Sequence, residues 1–163
     1  MSAIVESAVV SIQVADFANL DAVGKLNLLG GGVAGIGFDP GQGLTARFSL
    51  VVQVEVPSNL LPAECSIEVF LTSGAEVVMA PGPVEPQAVR VSQNVTIDKA
   101  LAFTGPARDH VPGRNVSVLD FNNGLPLAPG GHYEWHVRID GDDSRVWSYQ
   151  FVVAGPPAAP VFG

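Results

Sequence analysis

The feature that most constrains the fold is an alternation of period two between Leu44 and Val56. Leu44, Ala46, Phe48, Leu50, Val52, Val54 and Val56 fall on one side of an extended chain, and Thr45, Arg47, Ser49, Gln53 and Glu55 on the other. Only Val51 interrupts the pattern. Side chains alternate across a strand, whereas a helix would spread the same apolar positions around its circumference. The segment is therefore expected to be one half-buried strand with Phe48, Leu50, Val52 and Val54 in the core.

The same alternation recurs elsewhere. Val89, Val91, Val95 and Ile97 oppose Arg90, Ser92, Asn94, Thr96 and Asp98, while Cys65, Ile67, Val69 and Leu71 oppose Ser66 and Glu68. Tyr133, Trp135, Val137 and Ile139 alternate with His132, Glu134, His136 and Arg138. A turn at Asp140 to Ser144 then leads to Trp147, Tyr149, Phe151 and Val153, so the last two strands form a hairpin with an aromatic core face. Shorter strands are expected at about Ala8 to Ala15, Lys25 to Leu29, Val33 to Phe38, Glu76 to Met79 and Asn115 to Phe121, each bounded by Gly, Pro, Asn or Asp. Only Asp16 to Val23 and Ile97 to Phe103 offer a helical turn or two, and both are too short for a stable amphipathic helix. The expected fold is all-β, an antiparallel β-sandwich, immunoglobulin-like in architecture, because stacked sheets bury one face each.

At 163 residues the chain fits one sandwich domain over 1–154, which at this size can bury a core without staples. A single cysteine, Cys65, leaves no internal disulfide and no multi-cysteine zinc site. Loops are expected over Ala80 to Pro86 and Gly105 to Arg114, and residues 155–163 form a Pro-rich tail ending in Val161-Phe162-Gly163. Eight basic against sixteen acidic residues, a net charge of −8, argue against a nucleic-acid surface, since phosphate binding draws on clustered Lys and Arg. No window reaches the roughly 20 uninterrupted apolar residues of a membrane helix. The N-terminal stretch carries Glu6 and has no basic residue before Lys25, so a signal peptide is not expected.

Four patterns invite chemistry. Gly30, Gly32 and Gly35 match G-x-G-x-x-G after a strand, but Ile36-Gly37-Phe38-Asp39-Pro40 cannot start the helix that a dinucleotide needs. The glycines are expected to serve a bulge, a positive φ or close strand packing. His132, Glu134 and His136 are legitimate zinc ligands on one strand face. Yet same-face neighbours lie about 6.7 Å apart, so His132 and His136 start about 13 Å apart and can hardly converge on one ion. Asp140, Asp142 and Asp143 offer oxygens to calcium, with ordinary Asp-Gly turn chemistry as the simpler reading. Cys65 lies on an apolar face, where a thiol packs as a small hydrophobe. Neither a catalytic centre nor a cofactor is expected, and the sequons at Asn94 and Asn115 matter only in a secretory pathway.

Several blocks carry a resemblance: Val10 to Val14 followed by Ala15-Asp16-Phe17-Ala18, and Gly24-Lys25-Leu26 running to Gly30-Gly31-Gly32. Val54-Glu55-Val56-Pro57, Pro129-Gly130-Gly131-His132-Tyr133-Glu134-Trp135 and Ile139-Asp140-Gly141 continue it. Over about Val9 to Val153 the chain resembles a domain-of-unknown-function family of bacterial and bacteriophage genomes. The resemblance implies a β-sandwich and no assigned catalytic residues. The expected function is a non-enzymatic structural or interaction module, most concretely a bacteriophage virion component such as a capsid decoration or tail accessory protein. The alternative is a cytoplasmic bacterial β-sandwich that binds a small ligand or a protein partner. The expected partners are protein surfaces, capsid or tail subunits among them, and a homo-oligomer fits the same reading. Pro160, Val161 and Phe162 are the expected contact residues, since a Pro-stiffened segment loses less entropy on docking and Phe162 would bring apolar area worth about 1.5–3 kcal/mol. Deleting residues 155–163 is expected to leave the melting temperature of the isolated domain nearly unchanged while weakening assembly. A large drop in monomer stability with assembly intact would make the tail intramolecular packing instead.

Overall fold

A computed structural model of the chain describes residues 2–100 and 105–155. A short helix, α1 (Ala3–Ser7), precedes the strands β1 (Val9–Leu20), β2 (Leu26–Gly31), β3 (Gly35–Ile36), β4 (Phe38–Asp39), β5 (Leu44–Thr45), β6 (Phe48–Val56) and β7 (Ala63–Ser73). They are followed by β8 (Glu76–Val77), β9 (Met79–Ala80), β10 (Gln87–Ala88), β11 (Arg90–Ile97), β12 (Gly113–Phe121), β13 (His132–Ile139) and β14 (Trp147–Val153). Single 3₁₀ turns cover Ser58–Leu60 and Gly105–His110. Strand accounts for 55% of the chain and helix for 9%, so the all-β expectation holds.

One sheet has the order β12-β6-β1-β2, antiparallel throughout. The other runs β11-β7-β13-β14-β3, with β8 folded back on the end of β7. Its pairings are antiparallel except for β3, which lies parallel to β14 at Val152 and Val153. Two-stranded ribbons, β4–β5 and β9–β10, complete the described strands. The two large sheets face each other, and their inner residues form one core without a disulfide.

That core follows the period-two pattern. Leu50, Val52 and Val54 from β6 meet Ile67 and Leu71 from β7 and Trp135, Val137 and Ile139 from β13, all buried. Aromatic rings link the layers: Phe121 stacks on Phe48 with centroids 4.8 Å apart and on Trp135 at 5.5 Å, and Phe48 meets Phe151 at 6.2 Å. Tyr133 stacks on Phe151 at 5.7 Å, and its hydroxyl accepts the Ala128 N–H at 2.8 Å, so the polar end of a buried ring is satisfied. At one end of the sandwich, Val5 of α1 is fully buried. Ser2 caps that helix by accepting the Val5 N–H, and Arg145 donates to the Val5 and Glu6 carbonyls at its other end.

Three sequence expectations are corrected. The stretch from Leu44 to Val56 is two strands: β5 turns aside to pair with β4, Ala46 and Arg47 form the corner, and β6 begins at Phe48. The phase flips there, since Thr45 is buried and Ala46 exposed. The cause is tertiary. Thr45 donates its N–H to the Leu125 carbonyl at 2.9 Å, and its hydroxyl accepts the Leu125 N–H at 3.0 Å. Residues Asp16 to Leu20 are not a helical turn but the continuation of β1, paired to β2 through Phe17 with Leu29 and Leu20 with Leu26. Non-local pairing overrides local propensity here. Finally, β12 opens at Gly113, inside the expected loop.

Gly124 locks the Thr45 corner, because at φ +71° a side chain is strained and an added Cβ would overlap the Thr45 carbonyl oxygen. Gly130 shares the conformation at φ +76° but faces open space. Gly124→Ala should therefore destabilise the fold by more than Gly130→Ala, for which backbone strain alone accounts for about 1–3 kcal/mol. Equal denaturant midpoints for the two variants would contradict this packing role.

Candidate functional site

The outer face of the second sheet gathers most of the side chains with chemical potential. Cross-strand register sets Glu134 beside Thr72, His136 beside Phe70 and Arg138 beside Glu68. On the other flank of β7, Arg90 lies beside Phe70. The His136 ring stacks on Phe70 at 5.1 Å, and its Nε2 is 3.0 Å from the Thr72 hydroxyl and 3.8 Å from the Glu134 carboxylate. Two guanidiniums lie over Phe70, Arg90 at 5.6 Å and Arg138 at 5.5 Å from its centroid. Both also engage Glu68: Arg90 pairs with it at 3.0 Å, and Arg138 bonds it through Nε at 2.8 Å and through Nη2. Arg138 reaches on to Asp143 at 2.5 Å. The Asp143 and Glu68 bonds together hold the Arg138 guanidinium even more firmly protonated than usual.

His132 stands apart from this network. It lines a cleft of about 420 Å³ with Glu134, Gln150, Val152, Gly74 and Ala34. Of the expected H-x-E-x-H set, Glu134 and His136 approach each other, while His136 turns to Thr72 and Phe70. Among the described residues, no three His, Cys, Asp or Glu side chains form a group able to hold a metal ion.

The three aspartates of the β13–β14 turn take three different partners. Asp140, at φ +54°, donates its N–H to the Ser66 carbonyl and accepts the Ser66 N–H on Oδ1, both at 2.9 Å. Asp142 accepts the Ser144 N–H at 2.8 Å, and hydrogen bonds from Ser144 lower its pKa. Asp143 holds Arg138. Cys65 lies buried beneath a polar cleft of about 510 Å³ that includes Glu64, Asn94, Thr96 and Asp140. Burial, and then the Asp140 charge, push its thiol pKa up, away from the thiolate a nucleophile needs.

Gly30 and Gly32 adopt positive φ at the end of β2, and the chain continues into β3 and β4 rather than a helix. The space a Gly30 side chain would fill is taken by the Asp16 carboxylate. Gly30 therefore permits close packing of Asp16, and Gly32 serves a positive φ facing open space, two of the uses expected from the sequence.

The structure also reveals a surface that the sequence reading missed. β6 begins at Phe48, opposite the middle of β1, so among the described strands β1 beyond Asp16 pairs with β2 alone. The result is a two-stranded arm, closed at Asp21, whose carboxylate accepts the N–H groups of Val23 at 2.9 Å and Lys25 at 2.8 Å. Ala18 anchors its base, fully buried and donating its N–H to Ser49 Oγ at 3.1 Å. Arg47 covers Phe17 at 5.8 Å, yet Phe17 and Leu20 remain about 40% exposed, Leu29 67% and Val23 76%. The available signal was Asp21 and Gly24 between two leucine-containing runs, a turn pattern outweighed by the helical reading. The expected contact residues Pro160, Val161 and Phe162 lie outside the described residues.

No protein-family model and no curated protein sequence matches the chain. Among solved structures, the β-glucosidase from Listeria innocua in complex with gluconolactone is similar over 91% of this chain, with a TM-score of 0.44 and 9% identity. The same enzyme in complex with isofagomine gives a TM-score of 0.43 at 9% identity over the same 91%. This chain spans 16% of the length of either. Among the described residues, no helix is long and apolar enough to cross a membrane.

Because its raised pKa keeps the Cys65 thiol protonated, alkylation by iodoacetamide at pH 8 should be much slower in the folded chain than in urea. Raising the pH through the folded pKa should accelerate labelling and remove the stability that the buried neutral thiol retains below it. Labelling at the unfolded rate at pH 8 would contradict the burial.

Proposed function

We propose that this chain is a non-enzymatic structural or interaction module, and in its most concrete form a bacteriophage virion component, either a capsid decoration or a tail accessory protein. The observation that carries the reading is the β1–β2 arm, which holds Phe17, Leu20, Val23 and Leu29 in water on a hairpin extending past its own sheet. Exposed apolar area of this kind marks a contact surface. The outer face of the second sheet supports the same reading. There Glu68, Arg90, Arg138 and His136 are engaged with one another and with Phe70 and Thr72. Such mutual pairing suits a stiff scaffold better than a reactive site. The resemblance to a family of bacterial and bacteriophage genomes supplies the setting, by analogy only.

A second reading is a cytoplasmic bacterial sandwich that binds a small polar ligand, favoured by the cleft of about 420 Å³ at His132, Glu134 and Gln150. Particles purified on a density gradient from the organism that carries the gene separate the two. The virion reading expects the chain in the particle band by mass spectrometry, in fixed ratio to the major structural protein. Its recovery only from the soluble fraction would overturn that reading and favour the ligand-binding one.

A further inference from the structure

We infer that the free edge of β2 is a self-association edge, on which β2 of a second copy of this chain pairs antiparallel about a dyad at Leu28. The inference rests on the reading of the arm as a contact surface and names its partner.

An open sheet edge exposes unpaired backbone groups, and natural chains guard such edges with charge, proline or cover. Among the described strands, the other edges of the large sheets are guarded. β12 carries Arg114 and Asp120, β11 carries Arg90 and is tied to β12 by a Gln93 to Ser117 hydrogen bond, and β3 is only two residues long. β2, Leu-Asn-Leu-Leu-Gly-Gly, has neither charge nor proline along its length.

The backbone phase sets the register. The Asp21 N–H donates to the Lys25 carbonyl at 2.9 Å, and the Ala18 N–H points the other way, to Ser49. The backbone groups of Lys25, Asn27 and Leu29 therefore face β1, and those of Leu26 and Leu28 face the open edge. A second copy paired through those groups sets Leu28 against Leu28 and Leu26 against the Gly30 end.

Charge favours the antiparallel arrangement and a second copy as occupant. Lys25 stands at the start of β2, and the Asp16 carboxylate lies over its end, in the space left open by Gly30. Antiparallel pairing brings the Lys25 of each copy towards the Asp16 of the other, whereas parallel pairing would set like charges side by side. The strand between those charges is neutral, so two chains of net charge −8 can approach there without opposing carboxylates.

Sedimentation equilibrium on the whole chain tests this, and the wild type should be dimeric. Leu28→Lys, which sets two ammonium groups at the dyad, should shift it to monomer with an unchanged far-UV circular dichroism spectrum. Because that variant is informative only when folded, Leu28→Cys provides a second readout. Mild oxidation should link it across the dyad into a covalent dimer, while Leu26→Cys, about 13 Å from its own mate in this register, should stay unlinked. A wild type that is monomeric up to its solubility limit, a folded Leu28→Lys variant that stays dimeric, or equal cross-linking of both cysteine variants would each overturn the inference. A monomer whose Leu26 and Leu28 amides resist hydrogen exchange would also overturn it, assigning the edge to another segment of the same chain. A dimer absent from particles would sink the virion reading alone, and a monomer present in them would sink this inference alone.

Discussion

The fold depends on removing the inner faces of β6 and β13 from water at the same time. Neither strand can do so alone, because each presents a stripe of apolar side chains that only a facing sheet can cover. Leu50, Val52 and Val54 on one side and Trp135, Val137 and Ile139 on the other are all essentially inaccessible. Each such side chain contributes about 1.5–3 kcal/mol on burial, far more than any exposed ion pair in the molecule. The Phe48–Phe121–Trp135 stack, whose members come from both sheets, fixes how the layers meet.

The outer face of the second sheet plays a different part. Glu68 receives two guanidiniums that also lie over Phe70, so charge, ring and carboxylate hold one another in place across β11, β7 and β13. Such pairs add modest stability because water still reaches them. Their larger effect is to restrict the motion of side chains on three adjacent strands. His136 is part of the same arrangement, stacked on Phe70 with its Nε2 3.0 Å from the Thr72 hydroxyl.

The arm is the place where the sandwich leaves its own logic incomplete. Its base is tied down by buried Ala18 and by Ser49, whose hydroxyl in turn donates to Asp120 at 2.5 Å. Beyond that anchor the apolar side chains Phe17, Leu20, Val23 and Leu29 of the hairpin meet solvent. An isolated two-stranded ribbon is only marginally stable in water, so contacts with another surface would contribute stability that the arm lacks by itself.

The sequence by itself determined the fold class and most of the core. The alternation in Phe48 to Val56, Cys65 to Leu71 and Tyr133 to Ile139 calls for strands, although β6 also buries Ser49 and Val51 on its other face, and a lone cysteine removed any internal disulfide. It also indicated that Gly30 to Gly35 lacks a following helix, because Gly, Asp and Pro are local signals. What it did not contain was the partner of each strand. Nothing local says that Thr45 bonds Leu125, that β6 stops short of the end of β1, or that Asp16 to Leu20 extends as strand. Each depends on residues distant in sequence, and an alanine- and leucine-containing segment follows whichever backbone pairing is offered. The arm, and with it the candidate contact surface, was therefore decided by tertiary structure alone, since exposure is a property of what lies opposite a residue and not of the residue itself.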